Sequence, residues 1–390
     1  MRLRLTALAI AMLAPFTALA EEASAPAAAA PTDAPAAAPV VTTTPAVAEP
    51  APAAAAASAE PAKGWKDLLT VEGLADSYYM WNFSGPTSLT QPALRNFDVN
   101  SNTFTLNYAK IGFGLAAEKA GFRVDLGYGS TGALVNLGLG SDVAAMPPYT
   151  ATAFLIQQAY ASLTPIEGLS IDFGKFVTTA GAEVIEANKN WLYSRSFLFY
   201  NIPLLHNGVR AGYKINDMIS VQASLVNGWN GTGVNQATFA DKTFGFNLAL
   251  TLPMGLSVLP TVYVGDTGSG SIRTLVDVVA AYTVGALALN ANFDYVKDEN
   301  GIGPDPFVGV AAMAHYTISD MVNATVRGEF AKANAGAVRY SYYEVTAGVA
   351  FPFSGHYELR PEFRFDGASE AVLNGEKSQV TATLGALAYF

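Results

Sequence analysis

The chain has 390 residues, no cysteine, a hydrophobic fraction of 51% and a charged fraction of only 14%. Without cysteine, neither disulfide bonds nor thiolate metal sites can contribute to its fold or chemistry. The formal net charge of −10, with no basic cluster, argues against nucleic acid as a partner, because phosphate binding needs grouped lysine and arginine side chains.

The first 20 residues have the pattern of a secretory signal peptide. Two arginines precede an apolar segment over residues 5–16, and Ala-Leu-Ala at residues 18–20 forms a small-x-small cleavage site. A retained membrane anchor would need about 20 apolar residues. We therefore predict that residues 1–20 are a signal peptide removed on export.

Residues 21–64 consist almost entirely of Ala, Pro, Thr, Val and Glu and contain no aromatic residue. This composition cannot bury an apolar face, so we predict a disordered periplasmic linker. A docking motif for peptidoglycan or for a periplasmic partner is the alternative.

From residue 65 onward, apolar and polar residues alternate in short segments, which predicts strands with two different faces. The clearest example alternates Tyr357, Leu359, Pro361, Phe363 and Phe365 with Glu358, Arg360, Glu362 and Arg364. Sixteen strands are predicted near residues 71–83, 103–116, 121–129, 154–163, 168–176, 206–215, 218–228, 242–252, 255–264, 272–283, 285–296, 307–318, 321–331, 339–352, 355–366 and 378–390. Fourteen or eighteen strands also fit the pattern.

The predicted connections alternate in length. Tight turns are predicted at Glu118-Lys119-Ala120, Thr164-Pro165-Ile166-Glu167, Asn216-Asp217, Pro253-Met254, Val284, Ser319-Asp320 and Phe353-Ser354, and every other connection is longer. Membrane barrels have short periplasmic turns and long external loops. Residues 65–390 are therefore predicted to form an all-β, transmembrane antiparallel up-and-down β-barrel of about 16 strands in the bacterial outer membrane, with the linker and the C-terminus in the periplasm.

The last predicted strand ends in an aromatic residue. Its apolar face carries Val380, Ala382, Leu384, Ala386, Ala388 and the terminal Phe390. A terminal aromatic on an amphipathic strand resembles the signal by which outer-membrane barrels are recognised for assembly. We therefore expect Phe390 to engage the barrel assembly machinery, and outer-membrane lipid and lipopolysaccharide to surround the folded chain.

A barrel of about sixteen strands is too wide for wall side chains to fill, so an aqueous lumen is expected. The alternation places polar side chains of both charge signs toward this lumen, either as an ordinary solvated lining or as a binding track, and leaves ion preference undecided. The predicted pore-lining residues are Arg123, Asp125, Asp172, Arg210, Lys214, Asp277, Asn290, Asn292, Asp294, Arg327, Glu329, Glu344, Glu358, Arg360, Glu362 and Arg364.

The connection between Val177 and Leu205 is rich in aromatic and charged residues. A segment this apolar is poorly suited to solvent, so we predict that it folds into the barrel and narrows the pore. Its candidate constriction residues are Glu183, Glu186, Lys189 and Arg195. Packing at the extracellular rim or against a neighbouring subunit is the alternative.

No enzymatic pattern stands out. The three histidines, His206, His315 and His356, fall in different segments without a second ligand at metal spacing, and no G-x-S-x-G elbow occurs. We therefore expect no catalytic activity, no metal and no cofactor.

Three stretches carry a family resemblance: Phe173-Gly174-Lys175-Phe176 through Gly181-Ala182-Glu183-Val184-Ile185, then Tyr193-Ser194-Arg195-Ser196, then His206-Asn207-Gly208-Val209-Arg210. In these motifs, and over about residues 71–390, the chain resembles the OmpL-like outer-membrane β-barrel porin family. The resemblance implies a barrel with pore activity and supplies no catalytic or substrate-binding residues.

The sequence thus favours an outer-membrane porin that passes small polar solutes or ions by passive diffusion, and a homo-oligomer is compatible with it. Two alternatives remain. One is a structural or adhesive barrel with a plugged lumen that binds through its extracellular loops, and the other is a channel specific for one nutrient.

Overall fold

The computed structural model describes residues 68–84, 94–137, 156–230, 242–266, 271–299, 306–335 and 338–390. The predicted signal peptide and the whole of the predicted linker lie outside these residues. Sixteen strands fall within the described part of the chain: β1 Leu69–Asn82, β2 Phe104–Ala116, β3 Ala120–Tyr128, β4 Ile156–Leu163, β5 Leu169–Val177, β6 Leu205–Lys214, β7 Ile219–Asn227, β8 Lys242–Leu252, β9 Leu256–Asp266, β10 Ile272–Val284, β11 Leu287–Asp298, β12 Phe307–Ser319, β13 Val322–Ala335, β14 Val338–Phe353, β15 Tyr357–Ala368 and β16 Ser378–Tyr389.

Each strand pairs antiparallel with its neighbours in sequence, and β1 pairs with β16, so the sheet closes on itself. A closed sheet has no unpaired edge, which satisfies the backbone hydrogen bonds that lipid cannot. The predicted fold and strand number are confirmed, and each observed strand lies within a few residues of its predicted position.

Two details of the predicted connections are wrong. The turn between β10 and β11 lies at Gly285–Ala286 rather than at Val284, and Gly285 has a φ of 57°, as a two-residue hairpin turn requires. The connection between β13 and β14 is only residues 336–337, although a longer one was expected. The pairing continues to Ala335 and Val338, and Ala333 in the added part of β13 packs against the apolar core that includes Phe197.

The barrel wall has an apolar outer face and a polar inner face. On β15, Leu359 is 41% exposed on the outside, whereas its neighbour Arg360 is 3% exposed on the inside. In a bilayer, the outer face is covered by acyl chains. Within the described residues, no helix has the length and apolar character needed to cross a membrane.

In the part of the chain that the structure describes, two short α-helices lie between strands: α1 is Ser130–Leu137 and α2 is Phe197–Asn201. Two 3₁₀ helices there are Ala187–Lys189 and Pro253–Gly255. At the start of α2, the Ser196 hydroxyl accepts a hydrogen bond from the Phe199 backbone N–H at 3.1 Å, a standard N-cap. This helix and the first 3₁₀ helix belong to the β5–β6 connection, residues 178–204, which we call the inserted loop.

The chain terminus completes the barrel seam beside Gly73 of β1. The two residues exchange backbone hydrogen bonds, each 3.1 Å long, and the Phe390 ring occupies the space where a Gly73 side chain would stand. A Cβ on Gly73 would lie 2.1 Å from the nearest ring carbon. Glycine at this position therefore allows the terminal aromatic to cover the seam.

We expect Gly73→Val to displace the Phe390 ring and weaken closure of the barrel, at a cost of about 1–3 kcal/mol, as for other overpacked sites. Thermal unfolding in detergent micelles measures this. Gly328→Val is the matched control, because Gly328 also faces outward and a Cβ there meets nothing within 4 Å. Equal unfolding temperatures for the two variants would contradict the packing argument.

Candidate functional site

The inserted loop lies inside the barrel. Every residue from Trp191 to Phe199 is buried, although none of them belongs to the wall. Its apolar side chains form a core with inward residues of the wall, and Tyr193 packs 5.5 Å from Tyr78 of β1. Burial of aromatic area explains why this connection does not extend into solvent.

Acidic side chains of the wall bind the backbone N–H groups of the loop. Glu329 on β13 accepts hydrogen bonds from Phe197 and Leu198, both at 2.7 Å. Glu362 on β15 accepts from the backbone of residues 193 and 194, and Asp277 on β10 accepts from the backbone of residue 181. These carboxylates provide the partners that buried peptide groups require.

Arginines of the wall bind the carbonyl groups of the loop. Arg327 donates to the Ser194 carbonyl at 2.8 Å and pairs with Glu183, also at 2.8 Å. Arg364 donates to the carbonyl of residue 195 at 2.6 Å, and Arg360 donates to the carbonyls of residues 187 and 192. Much of the predicted pore lining on β10, β13 and β15 therefore holds the loop in place.

The remaining predicted pore-lining residues on this side lie on β11, β14 and β15, beside the residues that bind the loop. Glu344 accepts a 2.5 Å hydrogen bond from Arg327, and Glu358 pairs with Arg360. Asn292 donates to Asp277 at 2.7 Å and to Asp294 at 3.2 Å, and its carbonyl oxygen accepts from the backbone of loop residue 182. Asn290 is also buried on the inner face.

On the opposite wall, the predicted residues form ion pairs, one between neighbouring strands and one within β3. Arg210 pairs with Asp172 at 2.8 Å, and Arg123 pairs with Asp125 at 2.6 Å. Lys214 differs from the others. It lies at the end of β6, pairs with Asp217 of the adjoining turn and is 46% exposed in its side chain, so it contacts neither the inserted loop nor the central lumen.

The four constriction candidates have different environments. Arg195 is buried within the loop, and its guanidinium donates to the loop's own carbonyl groups at residues 184, 185 and 193, so it shapes the loop instead of facing a solute. Glu183 is paired with Arg327. Glu186 is paired with Lys110 of β2, and Lys189 is exposed.

The loop leaves open space along one side of the barrel. A cavity of about 330 Å³ lies between the loop and strands β1 to β6. Its charged lining residues are Glu72, Lys110, Arg123, Glu183, Glu186, Lys189 and Arg210. A second cavity of about 220 Å³ lies nearby, beside Tyr389 and Phe390.

Three important residues were missing from the sequence prediction: Glu72, Asp76 and Lys110. Strand parity alone could have placed Lys110 inside, because it alternates with the outward Ile111. On β1, the inward face also carries Leu74, Tyr78 and Met80. This strand therefore lacks the usual pattern of polar residues on the inner face. These apolar side chains face inward because the loop or its neighbours cover them.

Asp76 binds the loop through a tyrosine. The Tyr193 hydroxyl donates to Asp76 at 2.6 Å and accepts from Asn107 of β2 at 3.0 Å. Burial raises the pKa of Tyr193 well above its usual value, so its hydroxyl remains a donor at neutral pH. For Glu186, burial opposes ionisation, but the nearby Lys110 and Lys189 ammonium groups outweigh it and hold the pKa of this carboxyl below its usual range.

Within the described ranges, no group of three or more His, Asp or Glu side chains is arranged to hold a metal ion. A closed sixteen-strand barrel with an apolar exterior, a charged interior and a loop folded into its lumen defines an outer-membrane β-barrel of the porin type. A family model described as "Putative beta-barrel porin-2, OmpL-like" matches residues 68–390, and the chain belongs to this family. Its location is the outer membrane.

Solved porin structures share the fold. OmpT of Vibrio cholerae, in a form lacking loop L8, superposes with a TM-score of 0.56 at 13% identity, covering 83% of this chain and 99% of that one. An anion-selective porin from Comamonas acidovorans gives 0.56 at 12% identity, with coverages of 83% and 99%. Salmonella typhi OmpF in complex with daunomycin gives 0.54 at 15% identity, with coverages of 83% and 97%. A search of curated protein sequences gives no match.

Proposed function

We propose that this protein is a porin that lets small polar solutes or ions diffuse passively across the outer membrane. The observation that carries the proposal is the charged cavity between the inserted loop and the wall formed by β1 to β6. Charged side chains of both signs around a wet passage favour polar solutes over apolar ones. No catalytic step and no cofactor is part of the proposed function.

The arrangement of the chain in the membrane belongs to the same proposal. The short-turn end of the barrel, where β1 begins and β16 ends, faces the periplasm, and the long connections face outward, as in other membrane barrels. The terminal Phe390 acts as the assembly signal. One OmpT structure is described as a trimer form, which supports a homo-oligomer for this chain as well.

The first test is conductance of the purified, refolded protein in a planar bilayer at molar salt. We expect discrete and reproducible current steps, with none from a heat-denatured sample. Swelling of proteoliposomes in sugars of increasing size then defines the largest solute admitted. A correctly folded barrel that gives neither current nor swelling would exclude a porin.

A plugged structural or adhesive barrel is the second candidate, and one observation favours it. Hydrogen bonds attach the inserted loop to six strands, β1, β2, β10, β11, β13 and β15. The loop is therefore fixed inside the lumen. In that case the external connections would carry the binding function. The same conductance measurement separates the two candidates, because a plugged barrel stays silent.

A further inference from the structure

The two cavities follow one another along the barrel axis. The larger cavity is lined by Val177 and Leu204, which lie where the inserted loop joins the wall at the long-connection end. The smaller cavity is lined by Leu74, Tyr389 and Phe390, which lie at the short-turn end. Together they follow one side of the lumen from one end of the barrel toward the other.

Four residues line both cavities: Glu72, Lys110, Glu186 and Lys189. They therefore mark the boundary between the two spaces. Glu72 is held against the wall by a bidentate interaction with Arg123. Lys110 and Glu186 instead bridge the wall and the loop, because Lys110 belongs to β2 and Glu186 immediately precedes the 3₁₀ helix of the loop.

This bridge is unusual among the contacts of the loop. Among the described residues, it is the sole ion pair that joins the inserted loop to strands β1 to β6, whereas Arg327 makes the loop's ion pair with the opposite wall. Both partners are largely buried, with side-chain exposures of 5% for Lys110 and 12% for Glu186. The bridge is therefore a buried contact at the boundary between the two cavities.

Each partner of the bridge has a second partner of opposite charge. The Lys110 ammonium lies 3.0 Å from an Asp125 carboxylate oxygen. The Lys189 ammonium, on the same loop, also favours the ionised form of Glu186. Opening the bridge therefore leaves neither charge isolated, which removes much of the penalty that normally keeps a buried ion pair closed.

We propose that the Lys110–Glu186 ion pair is the gate of an eccentric passage along strands β1 to β6, and that breaking it joins the two cavities into one path. The inference rests on the proposed porin function and adds where solutes pass and which contact limits them. A permeating ion breaks the ion pair by binding to Lys110 or to Glu186 in place of the other partner. The residues that govern passage are then one wall lysine and one loop glutamate.

The test compares single-channel conductance of the full-length protein with that of Lys110→Met and Glu186→Gln. Each substitution removes one charge with little change of volume, and we expect each to raise conductance about twofold or more by opening the constriction. The double variant, Lys110→Met with Glu186→Gln, removes the same contact and is expected to raise conductance no further than the single variants do. Lys377→Met is the control, because Lys377 pairs with Glu370 at an exposed connection.

Because the chain contains no cysteine, Glu186→Cys provides a second measurement. A bulky, positively charged thiol reagent attached at this position is expected to reduce the current, whereas the same reagent on Lys377→Cys leaves it unchanged. Folded single variants with unchanged conductance, together with an insensitive Glu186→Cys, would overturn the gate while the porin function stands. If the unmodified protein and every variant are silent, the proposed function itself fails.

Discussion

Replacing residues 186–199 with a short Gly-Ser linker is expected to raise single-channel conductance severalfold and to admit larger sugars in the swelling assay. The reason is that these residues fill the lumen of a barrel whose sixteen strands would otherwise enclose an open aqueous channel. The wall does not depend on the loop for closure, because its strands are joined by their own backbone hydrogen bonds. The wall charges that now hold the loop would be solvated by the wider channel.

The control for this deletion places the same linker in the short turn between β12 and β13, after Asp320. That insertion lengthens a connection outside the lumen, so conductance should stay at its original value. A folded deletion variant with unchanged conductance would show that the loop does not limit the passage. It would also remove the physical basis for the proposed gate.

Arg327→Met is expected to destabilise the folded barrel more than Gly73→Val does. Arg327 is fully buried and binds Glu344, Glu183 and the Ser194 carbonyl, at 2.5, 2.8 and 2.8 Å. Methionine keeps much of the volume but leaves two buried carboxylates without this cation, and removal of one member of a buried pair typically costs about 3–5 kcal/mol. The loop also loses its ion pair with this side of the wall.

Equilibrium unfolding in urea with lipid vesicles measures the change, and proteolysis reports whether the loop has become accessible. Arg273→Met is the matched control, because Arg273 makes a bidentate ion pair with Asp298 at partly exposed strand ends. Exposed pairs contribute about 0–1 kcal/mol, so its effect should be much smaller. Similar losses of unfolding free energy in the two variants would mean that neither the burial of Arg327 nor its contact with the loop contributes to stability.

Strand positions could be predicted because the signal is local. Alternation along β15 places Glu358, Arg360, Glu362 and Arg364 on one face, and the structure puts all four on the inner side. Turn residues such as Gly285 mark where the chain must reverse. The observed turn lies one or two residues from the predicted one. The extent of β13 and β14 was not predictable in this way, because part of the added length packs against a core that includes Phe197, which is distant in sequence.

The roles of the charged residues were less predictable. Parity identifies Arg327 and Glu362 as inward, but it does not show that they bind the loop instead of a solute. Arg195 looked like a constriction residue because it is charged and lies in an unusual loop. In the structure, carbonyl groups of the same loop surround its guanidinium, an arrangement with no signature in sequence spacing.

By itself, the sequence determined an up-and-down barrel of about sixteen strands, its two-faced wall and the place of its aromatic connection along the chain, since all three depend on residue patterns within a few neighbours. Only the tertiary structure decided which wall the loop contacts, that Lys110 meets Glu186, and that the remaining space divides into two cavities. The Lys110–Glu186 contact, for example, joins side chains separated by 76 residues along the chain. They meet only when the closed sheet sets the distance across the lumen.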